Sequence, residues 1–393
     1  MNAHVIIGSS FGDCSKGNFT NFHSAKYNED CVVIRFNGSC QASHTVELQD
    51  GTRHAFQHFG SGSFNGSPTF LSKYFIVNPI MFRIEYEELI KKGIKPRVYV
   101  DSKCMVTTPF DMLINQIVES VRSNKHGSCG LGVNEVITRH VDNNMTYFVR
   151  DIISEFFNPL YDIRNNYLPN RLTMLGVNVV PQNYLDIIYN DNIIDRYVDD
   201  CNFFINHVTF MDEIQLSKEF DNFVFEGAQG LLLDEDHYNF PHVTRSKTGL
   251  CNVIKLADRI GIDRLDVNYI TRSYLTRHGA GPLPFEVNEK IYSKIEDKTN
   301  VPNIWQGSIR YAPLNLDLLH ESICNDIYSV RTNIKIIPNI AMSCIDQLDL
   351  DIRYVDNKKE HTTRNLSTIF NKINEWILPL SYISNGPTKE DIY

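Results

Sequence analysis

The densest cluster of reactive side chains is Gly8-Ser9-Ser10-Phe11-Gly12-Asp13-Cys14-Ser15-Lys16-Gly17. Glycines let backbone N–H groups close on phosphate oxygens, and a lysine adds positive charge. The spacing is not that of a Walker A loop, where lysine directly follows the second glycine of the frame. Taken alone, the loop is either a phosphate cradle or a plain strand–helix turn. Asp13 can serve as a general base or as a helix N-cap. His44, in Ser-His-Thr, suits either a proton donor to a developing anion or a satisfied turn residue. Gln229 can aim its amide N–H at a substrate oxygen or sit beside Glu226 as buried structure. Lys16 can pair with a bound phosphate or lie in solvent.

Something must carry these loops. Short apolar runs at 4–7, 31–36, 97–100, 223–225, 267–270 and 340–343 each end at glycine or a polar turn. Such runs read as buried strands, and 110–122 and 314–323 read as helices between them. The alternation predicts an α/β fold, a large mostly parallel central sheet with surrounding helices. Ligands of such sheets bind beyond the carboxyl ends of the strands, where all of these loops begin. The whole chain, 1–393, reads as a single domain with a mainly helical excursion at about 147–219.

Composition bounds the partners. A net charge of −9 argues against nucleic acid, whose binders carry a basic face. A small phosphorylated ligand needs only a local positive pocket. Nine cysteines with no CxxC pair signal neither a zinc site nor a disulfide framework, and reduced thiols predict a cytoplasmic setting. No apolar run approaches a membrane span, and the first residues lack the pattern of a signal peptide. No membrane partner is expected.

Taken together, the loops resemble those of adenylosuccinate synthetases. Gly12-Asp13-Cys14-Ser15-Lys16-Gly17 is similar to the family's GDEGKG, and the segment from Arg35 to Thr45 to its RxxGGxNAGHT. Phe225-Glu226-Gly227-Ala228-Gln229-Gly230 with Leu232-Leu233-Asp234 nearly repeats FEGAQGTLLD, and Pro241-His242-Val243-Thr244 follows like PYVT. Tyr274-Leu275-Thr276-Arg277-His278-Gly279-Ala280-Gly281-Pro282 resembles YxTRVGxGP, and Ser384-Asn385-Gly386-Pro387 resembles SxGP. Six motifs in order cover most of the chain. The stretches His58-Phe59-Gly60-Ser61-Gly62 and Gly127-Ser128-Cys129-Gly130 look more like the divergent archaeal and phage branch, which includes 2-aminoadenylosuccinate synthetases that use dGMP.

The resemblance implies a P-loop-like nucleotide ligase fold and a ligase that joins L-aspartate to C6 of a 6-oxopurine nucleotide through a 6-phosphoryl intermediate. GTP or ATP with Mg²⁺ would drive it. By family position, Asp13 is the base on N1–H, His44 the acid assisting phosphoryl transfer, and Gln229 the holder of O6. Gly12, Ser15, Lys16, Gly17, Thr45, Asp346, Ser384 and Gly386 fall to the triphosphate. Gln41, Ser128, Cys129, Gln229 and Thr244 fall to the mononucleotide. Arg139 or Arg150 stands for an arginine that the family takes from a partner subunit, and a homodimer is expected. Asp13 and the Ser43 carbonyl would meet the metal, although Ser43 replaces a family glycine. Thr299, Asn300 and Arg310 are the candidates for aspartate; only Arg310 is left of that loop's arginines. Ser343-Cys344-Ile345-Asp346 stands where the family reads guanine with TKxD, so the lysine is gone and ATP or dATP competes with GTP. Retained Asp13 favours IMP, because the dGMP enzymes generally carry Ser or Thr there. The alternatives are a dGMP enzyme and a nucleotide-binding regulator without turnover.

Overall fold

The computed structural model describes all residues except 123–126, 143, 155–157, 298–307 and 377. The six apolar runs fall largely within strands that are buried over most of their length; Cys31–Arg35 has no exposed position. Continuous burial of this kind is what a parallel sheet with two covered faces demands. Among the described residues, nine strands join in the spatial order Leu380–Ile383, Lys335–Ser343, Arg264–Arg272, Asn2–Gly8, Asn222–Glu226, Cys31–Arg35, Thr69–Leu71, Val98–Val100, Thr209–Phe210. Every pairing in that sheet is parallel. The expected α/β class holds. Asn2–Gly8 lies near the middle, with Asn2 opposite Asn222 on one side and His4 opposite Asp266 on the other.

Thr69–Leu71, Thr209–Phe210 and Leu380–Ile383 were not among the expected strands. Two to four residues are too few to show a period. A second sheet, Tyr274–Arg277, Arg310–Asn315, Ile352–Asp356 and Lys359–Thr363, was also missed. Its Arg310–Asn315 strand delays the helix expected from 314. Asn315 accepts from the Leu318 N–H, and the helix runs Leu316–Ser329. The helix expected at 110–122 is Pro109–Val121, started by Pro109 and a reciprocal capping box between Thr108 and Asp111, which satisfies two orphan N–H groups.

Residues 147–219 contain the helices Val149–Ser154, Asn158–Asp162, Leu168–Met174, Gln182–Ile188, Asn192–Asn206 and Glu213–Glu219, with Thr209–Phe210 added to the sheet edge. Asn192–Asn206 buries Ile194, Tyr197, Cys201 and Phe204 along one stripe, the helical period. Phe204 meets Phe82 of Pro79–Lys91 edge-on at 4.8 Å between ring centres. Because the central strands run the same way, the loops after Gly8, Arg35, Glu226, Arg272, Ser343 and Ile383 all leave one edge of the sheet. No described helix is long and apolar enough to cross a membrane.

Candidate active site

The loop after the first strand winds through left-handed backbone at Gly12 (φ 85°), Asp13 (φ 50°) and Ser15 (φ 66°) before the helix Lys16–Ser24. Such winding turns successive N–H groups to one side, which suits an anion. Gly8 lets this loop touch the next one: a Cβ there would lie 2.7 Å from the Gln229 carbonyl oxygen. Ser15 occupies the N-cap position, so Asp13 is not the cap. Its carboxylate instead pairs with Arg272 Nη2 at 3.1 Å and lies 3.9 Å from His278 Nε2. Lys16 is buried rather than solvated, with its ammonium 3.7 Å from Cys14 Sγ.

His44 opens the strand His44–Glu47. Its Nδ1 is 2.7 Å from Glu226 Oε1, and Nε2 has no partner among the described residues. Glu226 also accepts from the Ser61 N–H at 3.0 Å and from the Ser61 hydroxyl. Burial would lift the Glu226 carboxyl, but His44, Arg35 and Ser61 hold it down at about 2. Burial pulls the imidazole down to about 4 against the pull of Glu226. These directions favour a Glu226 carboxylate that accepts from Nδ1–H of a neutral imidazole. Nε2 is left for chemistry, and an arriving polyanion would raise its basicity. Gly17 permits the packing, because a Cβ there would meet His44 Cβ at 2.9 Å.

Asp13, Lys16 and His44 line one cleft of about 1170 Å³, more than a single drug-sized ligand fills. Asp13, Ser15, Lys16, Gly17, Gln41, Ser43, His44, Thr45, Ser128, Cys129, Gln229, Thr244, Asp346 and Gly386 all contribute to its walls. Gln41 Nε2 lies 3.5 Å from Thr244 Oγ1, Cys129 Sγ lies 3.8 Å from Gln41 Oε1, and Ser128 donates to Asn115 at 3.2 Å. Three segments distant in sequence thus meet. Burial raises the Asp346 carboxyl above its usual range.

Other expectations fall outside the walls. Gly12 shapes the loop without lining the cleft. Ser384 is buried and donates to the Gly386 carbonyl at 2.9 Å. Arg139 is a correction: it is buried, paired with Asp111 at 2.9 and 3.1 Å, and donates to the Val106 and Met145 carbonyls. It is engaged within its own surroundings and does not line the cleft. Arg150 is exposed beside Asp151 and away from the cleft. Arg310 is a second correction: its fork holds Glu286, and its Nη1 donates to the Gly279 and Gly281 carbonyls at 2.9 Å. It braces that loop rather than facing a substrate. Thr299 and Asn300 lie outside the described residues. Sequence reasoning missed Glu226 as the partner of His44, and missed Arg272, His278 and Arg245 on the walls. All four stand inside or next to the quoted motifs, which was the available signal.

A metal here would meet few protein ligands. The Asp13 carboxylate and Ser43 are on the walls, and no cluster of three or more His, Cys, Asp or Glu occurs among the described residues. One carboxylate, a carbonyl and substrate phosphates match Mg²⁺, which keeps several waters.

The family model of adenylosuccinate synthetase matches residues 5–308. Over 307 residues the chain is 26% identical to the adenylosuccinate synthetase of Mesoplasma florum, covering 76% of this chain and 68% of that one. Over 303 residues it is 29% identical to that of Prochlorococcus marinus, covering 75% and 66%. These matches span about two thirds of the relatives' own length. In fold it is similar to the fully ligated adenylosuccinate synthetase from Plasmodium falciparum, with TM-score 0.69, 18% identity and 100% and 99% coverage. It is also similar to the succinoaminodeoxyadenylate synthetase of cyanophage S-2L bound to dGMP and dATP, with TM-score 0.65, 14% identity and 100% and 95% coverage. A nine-stranded parallel sheet with these loops at one edge, and a family match over most of the chain, define a nucleotide ligase; the chain belongs to the adenylosuccinate synthetase family.

Proposed function

We propose that the chain condenses L-aspartate with C6 of a 6-oxopurine nucleoside monophosphate, driven by a nucleoside triphosphate. The observation that carries this reading is the meeting of Asp13, Lys16, His44 and Gln229 in one cleft. Asp13 takes the N1 proton, and O6 then attacks the γ-phosphorus as the nucleoside diphosphate leaves. Lys16 and the left-handed loop neutralise the transferring group, and Gln229 donates to O6. His44, protonated at Nε2 while Nδ1–H stays on Glu226, donates to the developing charge. The aspartate amine then attacks C6, the C6–O6 bond breaks, and inorganic phosphate departs with the proton that the amine gives up. Asp13 and Ser43 would hold Mg²⁺, which would offset charge between the phosphates. Thr299 and Asn300 are the proposed partners for an aspartate carboxylate. Asp346 is proposed to face the base of the triphosphate.

IMP is the favoured mononucleotide, on the strength of Asp13. A second reading, dGMP with ATP or dATP, is supported by Cys344 standing where a guanine-reading lysine would be. A homodimer in the cytoplasm remains part of the proposal. The test is phosphate release from ATP, dATP or GTP with Mg²⁺ and L-aspartate, offering IMP, GMP, dIMP and dGMP in turn. Release that requires aspartate and one of these mononucleotides supports ligation. Nucleotide binding with no release from any combination overturns it in favour of a regulator.

A further inference from the structure

We propose that Arg245 grips the 5′-phosphate of the mononucleotide, so that the chain supplies its own arginine to that pocket. This deepens the ligase reading and rests on its placement of the mononucleotide beside Gln41, Ser128, Cys129 and Thr244. Those four side chains are uncharged. A phosphate held by neutral groups alone keeps two negative charges in a partly closed cleft, which is costly without a cation. Arg139 cannot help, because Asp111 and two carbonyls engage it. Arg171 on the same wall is engaged by Glu135 at 2.7 and 3.3 Å. Arg272 is paired with Asp13.

Arg245 differs from all three. It directly follows Thr244, and both line the cleft. The turn that presents them is fixed by the Thr244 N–H on the Leu233 carbonyl at 2.9 Å and the Ser246 N–H on the Thr244 carbonyl at 2.8 Å. A single nitrogen is used: Nη1 donates to Thr138 Oγ1 at 2.8 Å and lies 3.5 Å from Asp142 Oδ2. Thr138 therefore orients the side chain, while Asp142 is half exposed and near the limit of contact. Nε and Nη2 make no hydrogen bond among the described residues. Those two donors form the flat edge of the fork that matches two phosphate oxygens.

Calorimetric titration of the full chain with IMP, dGMP and the corresponding nucleosides tests this. For whichever mononucleotide the unaltered protein binds, Arg245→Ala should weaken binding roughly ten- to a hundredfold, the range for hydrogen bonds to charged groups. Nucleoside binding should stay unchanged. Arg245→Lys should recover part of the loss, since it keeps the charge and loses the fork. Equal loss for nucleotide and nucleoside, or no loss, overturns the assignment. The two readings fail separately. If mononucleotide binds but no phosphate is released with aspartate and triphosphate, ligation fails while the Arg245 comparison still decides.

Discussion

Replacing Glu226 with glutamine removes the charge beside His44 and keeps the shape of the side chain. His44, Arg35 and Ser61 hold the buried Glu226 carboxyl below its usual range, so the anion is the favoured form. A neutral amide loses the charge but can still accept from Ser61. Its NH₂ group can also confront Nδ1–H, driving the imidazole to its other tautomer. Loss of the nearby anion lowers the His44 pKa further, because Glu226 is the group that raises it. An acid that is harder to protonate and wrongly oriented should cost kcat about 10²- to 10⁴-fold, the usual worth of such a group. KM for the mononucleotide should move little, because Glu226 is fully buried and does not line the cleft. Phosphate release under saturating substrates measures kcat, and nitrogen-15 NMR of the imidazole reports the tautomer. If Glu226→Gln turns over within about threefold of the unaltered enzyme, Glu226 does not orient an acid and the role given to His44 collapses.

Gly17→Ala places a methyl 2.9 Å from His44 Cβ and 3.0 Å from Ser61 Oγ. Overpacking there should cost about 1–3 kcal/mol and depress phosphate release beyond what the melting temperature explains; unchanged release would show that the helix can shift freely. Arg139→Ala strands the buried Asp111 charge and should destabilise the fold by about 3–5 kcal/mol, read by urea unfolding. Its mononucleotide affinity should be intact under conditions where it is folded, the opposite of the pattern for Arg245→Ala. His4 and His23 pack with their rings tilted and ring centres 4.4 Å apart, and burial lowers His4 from 6.5 to about 4 and His23 well below 6.5. The unfolded chain then binds more protons, so their stabilisation is full above pH 6.5 and is lost as pH falls towards 4. Unfolding at pH 7 and pH 5 should show the drop, and His23→Leu should flatten it. Equal slopes would refute the assignment.

The loops that build the cleft were readable because glycine and polar residues interrupt apolar runs, and that punctuation survives without coordinates. Partnerships were not readable where they span the chain. Glu226 meets His44 across 182 positions, and nothing local to either residue announces it. Arg139 seemed a phosphate ligand because sequence could not see Asp111, one turn into a neighbouring helix, facing it. Arg310 seemed a carboxylate ligand because the Glu286 that holds it lies in a different segment of the same loop region. The short strands Thr69–Leu71 and Thr209–Phe210 escaped because their place is set by the neighbours they pair with, not by a pattern of their own.

The position of the first strand also governs when the protein can take shape on the ribosome. Asn2–Gly8 pairs only with strands that begin at Asn222 and Arg264, so more than half of the chain must be synthesised before either neighbour exists. Contacts that distant are slow to form because a long loop must close first. Until then the apolar residues Val5, Ile6 and Ile7 emerge without a sheet to enter. At a synthesis rate of about 5–20 residues per second, that interval lasts on the order of ten seconds or more, time enough for a chaperone to take hold of them.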